Sequence, residues 1–71
     1  MIKYLYAAGA LMGYTADCGC MINGYDNKGN YVGYFLPDSN CVVNAHGEIV
    51  GDSVGILEGL CVQSSIEHRD Y

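Results

Sequence analysis

The residue types best able to do chemistry in this chain are its cysteines and histidines. Cys18 and Cys20 form a Cys-x-Cys pair beside Asp17, whereas Cys41, Cys61, His46 and His68 stand apart. A structural zinc site draws on cysteine pairs spaced Cys-x2-Cys to Cys-x4-Cys and closes its tetrahedron with a second pair. That second pair is missing; His46 and His68 could complete a set with Cys41 and Cys61, but nothing in the spacing demands it, and no metal is expected, nor any other cofactor. The Cys-x-x-Cys spacing of a redox dithiol is missing too. A free cysteine otherwise behaves as a small core residue, and Cys20, Cys41 and Cys61 are expected as buried reduced thiols; converging about an axis they would form one core layer, a geometry that a metal-binding ring would share. His46 precedes Asp52 and Ser53, a trio that could suggest acyl transfer, but no Gly-x-Ser-x-Gly elbow holds the serine. Gly9 to Gly13 is followed by no Lys-Ser/Thr and so makes no phosphate loop. No catalytic residue is assigned, and the chain is expected not to be an enzyme.

What these residues sit on is set by glycine. Three segments align: Gly9-Ala10-Leu11-Met12-Gly13-Tyr14, Gly29-Asn30-Tyr31-Val32-Gly33-Tyr34 and Gly47-Glu48-Ile49-Val50-Gly51-Asp52. Each is followed by an apolar run headed by a cysteine: Cys20-Met21-Ile22, Cys41-Val42-Val43 and Cys61-Val62. Glycine adopts φ > 0 without steric cost, and a hairpin loop needs that conformation. Each leading glycine therefore marks a turn into a returning strand. Each second glycine falls inside that strand, where a missing side chain signals a bulge, a bend or a close approach of other backbone.

Strands are expected near 2 to 6, 10 to 15, 20 to 25, 30 to 36, 41 to 45, 48 to 53 and 59 to 64. No window sustains apolar spacing at i, i+3 and i+4 with caps, so helix is limited to a turn or two within 53 to 62 and 63 to 69. Pro37-Asp38-Ser39-Asn40 reads as a turn. The polar tail from Gln63 to Tyr71 is expected to fray or to meet a partner. The fold class is all-β: residues 1–71 form a single small domain of three repeated antiparallel hairpins, arranged as a meander, a flower or a barrel, with little helix.

The chain has 71 residues, and one this short removes only about 60% of its unfolded surface from water on folding. Yet 51% of it is hydrophobic and only 15% charged, so part of the apolar surface is expected to meet another chain, with a homo-oligomer as the simplest case. In Tyr31-Val32-Gly33-Tyr34-Phe35-Leu36, simple alternation sends Tyr31 and Phe35 to one face and Val32, Tyr34 and Leu36 to the other. Seven tyrosines suit strands and also supply rigid contact surface. The formal net charge is -5, with cations only at Lys3, Lys28 and Arg69, too few and too scattered to neutralise a phosphate backbone. Nucleic acid is therefore not an expected direct partner, whereas a protein partner is. The residues expected to contact it are Tyr31, Tyr34, Asp38, Glu48 and Asp52.

The N-terminal stretch has three tyrosines and two glycines before Thr15, unlike the apolar core of a signal peptide, and its uncharged run stops at Asp17, short of the roughly 20 apolar residues that span a bilayer. A cytoplasmic location, without membrane association, is the expectation. The stretch from Tyr25 to Phe35, followed by Cys41 to Gly51, resembles the hairpin repeat of β-flower-like domains of bacteria and phages. The likeness covers about half of the chain. It implies short hairpins set about an axis and brings no settled activity. Together these readings point to a small acidic interaction protein that binds or occludes a partner protein. One form would be a phage or mobile-element inhibitor of a host defence or nucleic-acid-processing complex. A module that holds a metabolite or nucleotide within an oligomer, and a structural assembly subunit, are the alternatives.

Overall fold

A computed structural model describes residues 1–67. Six strands, β1 (Ile2–Ala7), β2 (Ala10–Asp17), β3 (Ile22–Asp26), β4 (Tyr31–Leu36), β5 (Cys41–Asn44) and β6 (Ile49–Gly51), are followed by one helix, α1 (Val54–Glu67). The strands form a single antiparallel sheet in chain order, with β1 and β6 as its edges. Of the three arrangements expected, the meander is the one adopted. The fold is mostly β.

The turns follow from a few side chains. Ala8 and Gly9 form a two-residue loop with φ of 53° and 80°, the left-handed pair that a tight hairpin requires. The β3–β4 loop is longer and is organised by Asp26, whose Oδ1 accepts from the backbone N–H of Lys28 and of Asn30, both at 2.9 Å. The β5–β6 loop repeats that pattern with Asn44, whose Oδ1 accepts from the N–H of His46 at 2.9 Å and of Glu48 at 3.0 Å. Gly29 and Gly47 take φ of 83° and 86° in these two loops.

Pairing slips by one residue in three places, leaving Met12, Val32 and Val50 without an opposite number. Each is a bulge immediately before the second glycine of its segment. The bulge at Val32 corrects the simple alternation expected for β4, because the extra residue resets the pleat. Val32 and Phe35 both enter the core, while Tyr31 and Tyr34 share the opposite face.

The helix is the main departure from expectation. The strand expected at 59 to 64 lies inside α1, and 54 to 67 is one continuous helix rather than separate turns. Val54, Leu57, Cys61 and Ser65 recur along one side of it, and Leu57 and Cys61 are fully buried. They join Leu5, Val32, Phe35 and Val42 in the core. The helix lies close to the sheet because β3 presents Gly24 beneath it: a Cβ there would stand 2.8 Å from both the Cys61 Sγ and the Leu57 Cδ1. Ser65 fastens the far end, donating to the Met12 carbonyl at 2.6 Å and accepting from the Asn27 N–H at 2.9 Å. At the near end the Lys3 Nζ donates to the Glu58 Oε2 at 2.8 Å. The part of the polar tail beyond Glu67, with Tyr71, lies outside the described residues.

The shared cysteine layer is also corrected. Cys20 is exposed in the β2–β3 turn, Cys41 is half-buried at the start of β5, and only Cys61 is buried, on the helix. Burial pushes the Cys61 thiol up to about 11. With so little thiolate at pH 8, Cys61 should resist a disulfide reagent that labels Cys18 and Cys20 at once. Timed labelling read by mass spectrometry checks this, and early labelling of Cys61 would refute the packing described.

Candidate interaction surface

The helix covers one face of the sheet only. The smallest extent of the molecule, 17 Å, accommodates two layers and no third. The other face is open, and its composition is fixed by the register. Tyr4 pairs with Tyr14, Tyr14 with Tyr25, and Tyr25 with Tyr31, so one tyrosine from each of β1 to β4 falls in a single row. Ring centroids along the row are 6.1, 4.9 and 5.9 Å apart, with the first pair tilted, the second stacked and the third edge to face. Each contact is of the kind that contributes about 0.5 to 1.5 kcal/mol beyond its buried area. Desolvation, then the nearby Tyr34 and Tyr25, raise the Tyr31 phenol above its ordinary value.

Tyr34 stands in the next row, between Asn23 of β3 and Val43 of β5. Ile2, Tyr6, Leu11 and Ile49 extend the face at its margins, and all four are exposed. By the same register, no strand residue directed to this face carries a charge. An open face of this composition, aromatic and apolar without charge, is a candidate contact surface.

The expected contact residues divide accordingly. Tyr31 and Tyr34 lie on the open face. Asp38 sits in the β4–β5 turn and Asp52 just past β6, at one end of the sheet, whereas Glu48 sits in the β5–β6 turn at the other end. There its Oε1 accepts from the Asn44 Nδ2 at 3.0 Å. The three carboxylates do not form one patch. Tyr14 and Tyr25 belong to the surface but were not among the residues expected. Tyr25 and Tyr31 could have been paired from sequence, because they flank the loop that Asp26 and Asn30 close. Matching Tyr14 with Tyr4 needs the bulge at Met12 as well.

The chemistry considered for the histidine and cysteines finds no support in placement. His46 and the Asp52-Ser53 pair lie at opposite ends of β6. Among the described residues no group of three His, Cys, Asp or Glu side chains is placed to hold a metal ion. His46 instead lines an open cleft of about 320 Å³ with Tyr31, Asn44, Leu60 and Ser64, at the low end of the size range for small-molecule sites. Among the described residues no helix is long and apolar enough to cross a membrane. Comparison of the chain with protein-family models, with curated proteins and with solved structures found no match.

Proposed function

We propose that this protein is a non-enzymatic interaction module whose binding surface is the open tyrosine face of its sheet, and that its occupant is the surface of a partner protein. The observation that carries this reading is the tyrosine row itself: rigid, amphipathic rings held in register across four strands and left uncovered by the single helix. Tyrosine gives large contact area at low entropic cost together with a hydroxyl for a polar rim. The carboxylates at the two ends of the sheet would flank a bound partner and would set orientation and salt dependence more than affinity.

The three glycine-led hairpins are read, within the same proposal, as copies of one unit. Their support is the matched bonding of the Asp26 and Asn44 loops and the bulge that precedes each second glycine. Any kinship with β-flower-like repeats rests on that unit.

Photo-crosslinking tests the surface. A benzophenone side chain placed at Tyr31 or Tyr34 should yield one defined protein adduct in the producing cell, and one placed at Gly59, on the exposed side of α1, should yield none. Adducts that are absent from the face, or equal at all three positions, would refute the proposal.

A further inference from the structure

The two edges of the sheet are unlike. β6 is three residues long, carries the bulge at Val50, and has Ile56 packed over Gly51, all features that discourage strand addition. β1 is six residues long and pairs only with β2. The direction of its free groups follows from one pair. The Asp17 N–H donates to the Met1 carbonyl at 2.8 Å, and the Met1 nitrogen donates to the Asp17 carbonyl at 3.0 Å. Inward and outward bonding alternate along an antiparallel strand. Lys3 and Leu5 therefore bond inward to β2, while the N–H and C=O groups of Ile2, Tyr4 and Tyr6 point out along the edge.

We infer that this edge is a self-association site, at which a second copy of the chain adds its own β1 antiparallel and in register about Tyr4. Tyr4 of each copy then exchanges both backbone bonds with Tyr4 of the other, and Ile2 pairs with Tyr6 on either side. The occupant is a second copy for two reasons. The free groups at Ile2, Tyr4 and Tyr6 are symmetric about Tyr4 and so complement themselves under a two-fold axis. The only charge on the strand, Lys3, is already paired with Glu58, so two acidic chains meet along a border whose strands bring no unpaired charge. The axis stands perpendicular to the sheet, which puts both helices on one side and joins the two tyrosine rows end to end across Tyr4. The short, bulged β6 edge offers no matching partner, so assembly closes at two copies instead of growing into a fibre.

The inference is independent of what occupies the tyrosine face. An edge of six residues buries less than the roughly 1,200 Å² of a standard interface, so the dimer should form reversibly with concentration. Sedimentation velocity across a concentration series should show a monomer–dimer equilibrium. The backbone amides of Ile2, Tyr4 and Tyr6 should exchange with solvent more slowly as dimer forms. Tyr4→Pro removes the outward N–H and leaves the inward bonds to β2, so it should weaken dimerisation at least about ten-fold, with only the small fall in melting temperature that loss of the Tyr4–Tyr14 ring contact brings. If that variant misfolds, the amide protection of the unaltered chain decides the matter alone. A chain that stays monomeric, or a dimer in which those three amides remain unprotected, would overturn the inference.

Discussion

Replacing Gly33 with alanine should cost about 3 kcal/mol or more, a large share of the roughly 4 to 11 kcal/mol expected for a domain of this size. Gly33 follows the bulged Val32 and holds φ of 151°. A Cβ there would drive into the Val43 carbonyl oxygen and stand 3.0 Å from the Asn44 Cα. Both obstacles are backbone of the adjacent strand, which cannot yield without parting β4 from β5. Strained φ contributes about 1 to 3 kcal/mol and the forced separation a similar amount. Gly47→Ala supplies the control, because φ is 86° but nothing lies within 4 Å of the new methyl. It should cost only the conformational term, about 1 kcal/mol. Urea denaturation of the two variants measures the difference. Equal losses would mean that the close approach at Gly33 contributes nothing.

That contrast also explains how much of the fold the sequence discloses. The leading glycines are legible because a turn needs φ > 0 and little else supplies it. The strands between them are legible because aromatic and β-branched residues cluster there. The helix was hidden for a physical reason. Ile56 and Ile66 are apolar and exposed, while Ser64 and Ser65 are polar and at least half-buried, so the two sides of α1 differ little in hydropathy. Gly55 and Gly59 further lower its intrinsic propensity. What stabilises it is tertiary: Leu57 and Cys61 lie over Gly24, a contact that no local pattern announces.

The candidate surface was legible by residue type and obscured in arrangement. Tyr31 and Tyr34 were identified because tyrosine is amphipathic, yet simple alternation placed them on opposite faces. A single bulge brings them together, and a one-residue slip in a strand moves every later side chain to the other face. The carboxylates misled for a related reason. Asp38, Glu48 and Asp52 are near in sequence, but antiparallel connections send successive turns to alternate ends of the sheet. The bulges and the helix thus have one joint consequence, which is to sort the apolar residues into a core beneath α1 and a tyrosine row that α1 does not reach.

Asp26→Ala is the second substitution expected to have a large effect, again about 3 kcal/mol. Asp26 is fully buried. Besides the two loop amides on its Oδ1, its Oδ2 accepts from the Asn30 Nδ2 and from the Ser64 hydroxyl, each at 3.1 Å. The side chain therefore joins the β3–β4 turn to the last turns of α1, and alanine would release both at once. Asparagine should do much better, at about 1 kcal/mol, because Asn44 already performs the loop part of this role with its amide oxygen, while the Asn30 amide can turn over to present its oxygen to the new Nδ2 and the Ser64 hydroxyl can reverse to accept from it. Comparing the two variants by urea denaturation separates geometry from charge. If asparagine proved as damaging as alanine, the carboxylate charge would be what holds the loop, and the matched bonding of the two loops would not reflect a shared source of stability.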